Sequence, residues 1–401
     1  MKYDFDRIID RNHTWSIKHD LKKENGKPED VLPLWVADMD FRSPQGVLDV
    51  LTQVSEHGVF GYTKADDSYF TSMASWYKRR FHWELEKEWL VPTPGVVFAI
   101  SVALKAFTEE GDAVVIQPPV YHPFRRAIER NHRTLVENPL VLEDGHYHMN
   151  LKDLEQKITE HNAKVMILCN PHNPIGRVWT REELTALSEI CLRHHVFVIS
   201  DEIHGDFTWP GHVQTPYACI SEETKLSSMT CTAPSKTFNL AGLQTSNILI
   251  PNPDMRHKMR SELLDLGADG INRMGQFACE AAYRDGEEWL EQLLAYLYGN
   301  LALVREFTKT RMPEIQLIEP EGTYLAWLDC RGMKMTEEEM INFFSNEAKV
   351  WLDHGGHSGA EGVGFMRFNL GSPRSVIEDA LDRIEAAWKK RNGVSETECS
   401  N

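Results

Sequence analysis

The chain has 401 residues, enough at about 150 residues per domain for two or three domains with a large buried core. Hydrophobic residues make up 42% and charged residues 26%, ordinary globular usage that excludes a disordered or fibrous chain. The net charge of −17 argues against a nucleic-acid backbone or an anionic membrane as the main partner, though a local basic pocket is compatible with it.

The N-terminal MKYDFDRIIDRNHTW lacks the uncharged apolar stretch of a signal peptide, and no run reaches the roughly 18 apolar residues of a membrane span. Residues 1–45 read as irregular, with VLPLWVADMDF (31–41) as an apolar segment among turn residues. From about residue 50, helix-like and strand-like segments alternate. VVFAISVALKAF (96–107) predicts a buried helix after the breaker run PTPG (92–95), and DAVVIQPP (112–119) a short strand. NLKDLEQKITEHN (150–162) is amphipathic and leads into the strand KVMILCN (164–170). TREELTALSEICLRHH (180–195) opens on a threonine cap and an acidic first turn, as helix starts prefer. VFVISDE (196–202), SSMTCTA (227–233) and SNILI (246–250) read as strands. Buried strands alternating with helices predict an α/β domain with a mostly parallel sheet covered on both faces.

After about 285 the texture changes. EEWLEQLLAYLYGNLALVREFTKTR (287–311) is long enough to bridge two domains, and IQLIEPEGTYLAWLDC (315–330) reads as two antiparallel strands around a Pro-Glu-Gly turn. A helix (335–347), the strands KVWLD and GFMRFNL, and a last helix SVIEDALDRIEAAWKKR complete a smaller α+β domain. The expected division is an N-terminal arm (1–48) joining the small domain, a large domain (49–285), the small domain (286–392) and a loose tail (393–401). The seven cysteines form no C-x-x-C pair, which argues against a disulfide framework or a zinc site and fits a reducing, cytoplasmic setting. His354 and His357 share a glycine-rich loop and His194 and His195 close a helix; without cysteine or carboxylate partners in the pattern, neither pair predicts a metal site.

Four segments carry chemistry. In APSKTFNLAGLQ (233–244), Lys236 follows a strand, where desolvation or nearby charge can free its amine for Schiff-base chemistry; the plain alternative is a solvated surface lysine. NPHNPIGRVW (170–179) is a loop at the carboxyl end of a strand, the place where α/β sheets bind ligands, or else an ordinary β-α turn. Asp201 and Glu202 end an apolar run, so a carboxylate is carried to the sheet edge, where burial demands a cationic partner such as a protonated pyridine, or it caps the next element. In PTPGVV (92–97), the backbone N–H groups of Gly95, Val96 and Val97 at a helix start would suit a phosphate.

The order of these segments, with Asn173 28 positions before Asp201 and Lys236 35 after it, resembles the pyridoxal-phosphate enzymes of the aspartate-aminotransferase fold. LWVADMDF (34–41), FGYT (60–63), PGVV, QPPVYHPF (117–124), CNPHNP, SDEIH and APSKTFNLAGLQ together resemble the MalY/PatB branch, the cystathionine β-lyase-type C–S lyases, over nearly the whole chain. The resemblance implies that Lys236 joins the aldehyde of pyridoxal 5′-phosphate and that Asp201 pairs with its ring nitrogen. It implies that Asn173 meets the phenolic oxygen and reaches the substrate carboxylate, and that Tyr121 stacks on the ring. By the same resemblance Tyr62 is lent to the phosphate by the other subunit of a homodimer with shared active sites, and the segment from Trp35 to Asp38 lies over the substrate. Arg367 sits where the family binds the α-carboxylate, a task for a planar fork.

Three departures from the transaminase pattern suit the lyase branch. Gln244 stands where an Arg or Lys touches the phosphate, Ala233 replaces a serine and leaves Ser235 or Thr232 as candidate hydroxyls, and His204 takes the place of a tyrosine near the phenolic oxygen. The expected reaction is β-elimination from L-cystathionine, cysteine or its S-conjugates to a thiol, pyruvate and ammonia. A class I/II aminotransferase is the alternative enzyme, and a regulatory protein-binding role, which the MalY branch implies, is the alternative of another kind.

Overall fold

The computed structural model describes residues 2–393, so the loose tail expected from 393 onward lies outside the described residues except for Gly393. The described chain clusters into two compact units, residues 42–291 with 321–323, and residues 2–41, 292–320 and 324–393. The division falls inside the helix Glu287–Thr310, where the sequence reading sets it near 285.

In the larger unit, a seven-stranded sheet has the order Leu90–Thr93, Ser246–Leu249, Ser228–Thr232, Phe197–Asp201, Val165–Cys169, Ala113–Ile116, Thr134–Glu137. Only Ser246–Leu249 runs opposite to its two neighbours. Val165–Cys169 and Ala113–Ile116 are buried at every residue, as strands covered on both faces must be. Helix Val96–Phe107 lays Ile100 and Leu104 into one core with Ile116, Ile167, Ile199, Met229 and Ile248, each such side chain contributing about 1.5–3 kcal/mol by leaving water. Helix Arg181–Arg193 starts at a capping box in which Thr180 accepts from the Glu183 N–H.

One sequence expectation changes, and one helix lies where the sequence analysis names no element. The run read as a breaker, Pro92 and Thr93, ends an edge strand, a position where proline's missing N–H breaks no ladder. Helix Arg273–Asp285 packs on helices Gln45–His57 and Asp67–Phe81, and its buried residues include Gly275, Ala278, Cys279, Ala281, Ala282 and Tyr283.

The smaller unit holds an antiparallel sheet in the order Gln316–Ile318, Leu325–Asp329, Phe365–Asn369, Asp353–His354. Leu32–Pro33 pairs with Val350–Trp351, and helix Arg374–Arg391 closes the described chain. The helix expected over 335–347 is α-helical from Glu337 to Asn342 and continues as a π-turn, Phe343–Glu347.

At Gly275 an added Cβ would collide with Thr245 Oγ1 and the Leu243 carbonyl. We expect Gly275→Ala to destabilise the protein by about 1 kcal/mol or more, because overpacking outweighs alanine's advantage in a helix. A urea unfolding midpoint equal to that of the wild type would contradict this packing.

Candidate active site

Strand register gathers the candidate residues of the larger unit at one sheet edge. Cys169 pairs with Asp201, Asp201 with Cys231, and Thr232 with Asn247, while Ser246 pairs with Thr93. The carboxyl ends of these parallel strands therefore align, and the loops bearing Asn173, Glu202, Lys236 and Gly95 leave the sheet from the same side. The chain from Ala113–Ile116 also leaves there, carrying Tyr121, whose N–H donates to the Asn173 carbonyl at 3.0 Å.

Asp201 is 4% exposed, and its Oδ1 accepts the Ile203 N–H at 3.1 Å. Burial pushes its carboxyl up to about 7, against the opposing pull of that N–H and of the Lys236 charge. Glu202 is likewise pushed up to about 7 by burial, although Tyr217 N and Ser200 Oγ both donate to its Oε1. These carboxyls differ in what they face: Glu202 has protein donors for its charge, whereas the Lys236 amine lies within Asp201's field.

Lys236 is half-buried on the short helix Pro234–Thr237. The next residue anchors that turn, with Thr237 Oγ1 donating to Asp206 Oδ2 at 2.7 Å. Asp206 is buried and also accepts from Trp76 Nε1 at 3.1 Å and Arg80 Nε at 3.0 Å. Sequence reasoning missed this support; the signal available was a second aspartate five residues after Asp201, in SDEIHGDF.

Asn173 is buried, and its N–H donates to Cys169 Sγ at 3.3 Å. The Asn-Pro loop is braced by His172, whose ring nitrogen Nε2 meets the Pro119 carbonyl at 3.0 Å and whose pKa burial lowers to about 4. Tyr121 is half-buried and stands edge-on to Phe124. His204 is buried and Ser235 half-buried, while Thr232 gives its hydroxyl to the Asn247 carbonyl at 2.9 Å. Gly95, Val96 and Val97 form the start of helix Val96–Phe107, which has no side-chain cap, and no atom lies within 4 Å of where a Cβ on Gly95 would be. Tyr62 is fully exposed, beside a cavity of about 430 Å³ that Phe60, Ile271 and Arg273 also line.

The smaller unit contains the remaining candidates. Arg367 is 6% exposed; its Nη2 donates to the Trp35 carbonyl at 2.9 Å and pairs with Asp353 Oδ2 at 2.8 Å. Trp35 stacks on Trp351 with centroids 4.2 Å apart. Asp38 is engaged by Arg11 through both oxygens, at 3.0 and 2.7 Å, and belongs to an ion cluster the sequence reading did not see. At its centre Lys18, wholly buried, pairs with Asp40 at 2.8 Å, and Asp40 also accepts from Arg11 and Ser372 Oγ. Burial alone would raise the Asp40 carboxyl, but the Lys18 charge and the His19 and Lys18 hydrogen bonds hold it far below the usual range. Among the described residues, no group of three or more His, Cys, Asp or Glu side chains could hold a metal ion, and no helix is long and apolar enough to cross a membrane.

A group carrying a ring cation and a phosphate fits the larger unit's edge. Asp201 is a buried carboxyl whose charge needs a cation, and the helix start at Gly95 has no side-chain cap and open space where a Cβ would stand.

The family model for aminotransferase class I and II matches residues 29–384. Cystathionine beta-lyase PatB of Bacillus subtilis (strain 168) is 43% identical over 383 residues, covering 96% of this chain and 99% of that protein. The crystal structure of cystalysin from Treponema denticola, described as containing a pyridoxal 5′-phosphate cofactor, superposes with a TM-score of 0.95 at 37% identity, covering 98% of this chain and 100% of that one. The pyridoxal-phosphate-bound C–S lyase from Staphylococcus hominis superposes with a TM-score of 0.89 at 32% identity, covering 96% and 98%. The chain belongs to the class I and II aminotransferase family and has its fold.

A carboxyl titrating near 7 when folded and near 4 when unfolded binds more protons in the folded state across that window, so its contribution to stability falls as pH rises through it. We expect cofactor-free Asp201→Asn to be more stable than cofactor-free wild type at about pH 8, with the gap closing towards about pH 4. Thermal unfolding across that range measures it, and a gap independent of pH would mean that Asp201 is not held protonated by burial.

Proposed function

We propose that this protein cleaves L-cystathionine and related cysteine S-conjugates, cysteine included, at the bond between the β-carbon and sulfur. The products are a thiol such as homocysteine, pyruvate and ammonia. It is a pyridoxal 5′-phosphate-dependent carbon–sulfur lyase, and the cofactor, when bound, supplies an electron sink for the pair left when the α-proton departs.

The protein's own residues divide the remaining work. Asp201 holds the positive ring nitrogen, and the amides of Gly95, Val96 and Val97, with Ser235, hold the phosphate. Asn173, with His204 beside it, takes the phenolic oxygen, and Tyr121 covers the ring face. Lys236 Nζ would hold the cofactor at its aldehyde, and the same amine is the group that would take the α-proton of the substrate. Arg367 grips the α-carboxylate by its charge and a charge-assisted hydrogen bond, with Trp35 and Asp38 in the segment that covers the substrate. Tyr62, exposed on its own chain, supports a homodimer in which each copy lends this tyrosine to the other's phosphate. We place the enzyme in the cytoplasm.

The observation that carries this reading is the burial of Asp201 at the sheet edge within the field of the Lys236 amine. The similarity to cystathionine β-lyases supports lyase chemistry over transamination, and Gln244, exposed and neutral, supplies none of the cationic phosphate contact of a transaminase.

Incubated with cystathionine and no keto acid, the holoenzyme is expected to release pyruvate and thiol over many turnovers, and Lys236→Ala to lose that activity by at least about a thousandfold. A wild type that stops after one equivalent would be an aminotransferase, and pyruvate formation undiminished in Lys236→Ala would remove the lysine from the mechanism.

A further inference from the structure

Arg367 and Asp353 are opposite residues on adjacent antiparallel strands. Their side chains form an ion pair of 2.8 Å with 8% and 10% exposure. A buried ion pair adds little net stability over apolar packing, so the fold gains a fixed geometry from it more than energy. The Nη2 end of the guanidinium is tied at two points, to Asp353 Oδ2 and to the Trp35 carbonyl at 2.9 Å. The other carboxylate oxygen, Oδ1, meets His357 Nδ1 at 2.9 Å, so Asp353 is itself held from the loop that follows its strand. Trp35 is in turn fixed by its stacking on Trp351.

We propose that Asp353 is a positioning residue for Arg367: it sets the plane of the guanidinium so that the side chain meets the α-carboxylate of the amino-acid substrate already oriented. This rests on the reading of Arg367 given above. An arginine whose guanidinium can rotate gives up part of its carboxylate binding to ordering the side chain. The interaction acts on carboxylate binding and leaves proton removal at Lys236 untouched.

The test uses holoenzyme and S-methyl-L-cysteine, with the corresponding amine lacking the carboxylate as a binding control followed by cofactor absorbance. Asp353→Ala is expected to raise KM about tenfold with kcat nearly unchanged, the size of one charge-assisted hydrogen bond, and to leave binding of the amine unaltered. Asp353→Asn, which keeps the volume and an acceptor but loses the charge, is expected to raise KM about threefold, and serves alone should the alanine variant not fold. In an Arg367→Ala background the same changes should add nothing. An unchanged KM in Asp353→Asn, an equal effect on the amine, or an undiminished effect in the Arg367→Ala background would each overturn the proposal. If Arg367→Ala itself leaves KM unchanged, the carboxylate reading of Arg367 falls and takes the role of Asp353 with it. If Arg367→Ala raises KM while the Asp353 variants do not, only the role of Asp353 falls.

Discussion

Burying a carboxyl group at the end of a central strand is costly, and the larger unit is organised around that cost. Asp201 sits between Cys169 and Cys231 on neighbouring strands, in an environment that disfavours its charge, and the main-chain N–H of Ile203 offsets only part of the penalty. An apolar residue at this position would pack without penalty. A carboxyl there becomes favourable when a cation completes it, and the Lys236 amine by itself leaves the group titrating near 7. The sheet thus presents a charge requirement that a protonated heterocycle would satisfy.

Rigid supports surround this point. Asp206 ties Thr237, and with it the turn that carries Lys236, to Trp76 and to the Arg80 guanidinium. The Asn-Pro loop is fixed through His172 and through the Tyr121 amide on the Asn173 carbonyl. In the smaller unit the same principle recurs with charges: Lys18, Arg11 and His19 surround Asp40, and Asn369 Nδ2 donates to the carbonyls of Val36 and Asp38. Both units hold irregular segments through hydrogen bonds of buried polar side chains, and side chains positioned in this way need little reordering when a ligand arrives.

Much of the larger unit was legible in the sequence, because strands buried on both faces write themselves as continuous apolar runs. VMILC and the helix of 96–107 are examples, and the cap at Thr180 marked its helix to the residue. Helix Arg273–Asp285 was not read from the sequence; its buried face mixes Gln276 and Tyr283 with glycine, alanine and cysteine, a weaker apolar run than VMILC. Pro92 and Thr93 misled, because proline is a turn signal except at an edge strand. At the site, Lys236, Asp201 and Asn173 were visible as motif residues at strand ends. Their supports were not, because Asp206, Lys18 and Asp353 act through partners distant in sequence, such as Arg80 for Asp206. A buried lysine looks in a sequence like any solvated one.

The central claim is that Asp201 creates a demand for a positive ring nitrogen. Calorimetric titration of the cofactor-free protein with pyridoxal 5′-phosphate, and with an analogue whose ring nitrogen is replaced by carbon, tests it directly. The account predicts that the wild type prefers the nitrogen ring by at least about tenfold and that Asp201→Ala erases the preference. Equal affinity of the wild type for the two rings would contradict it.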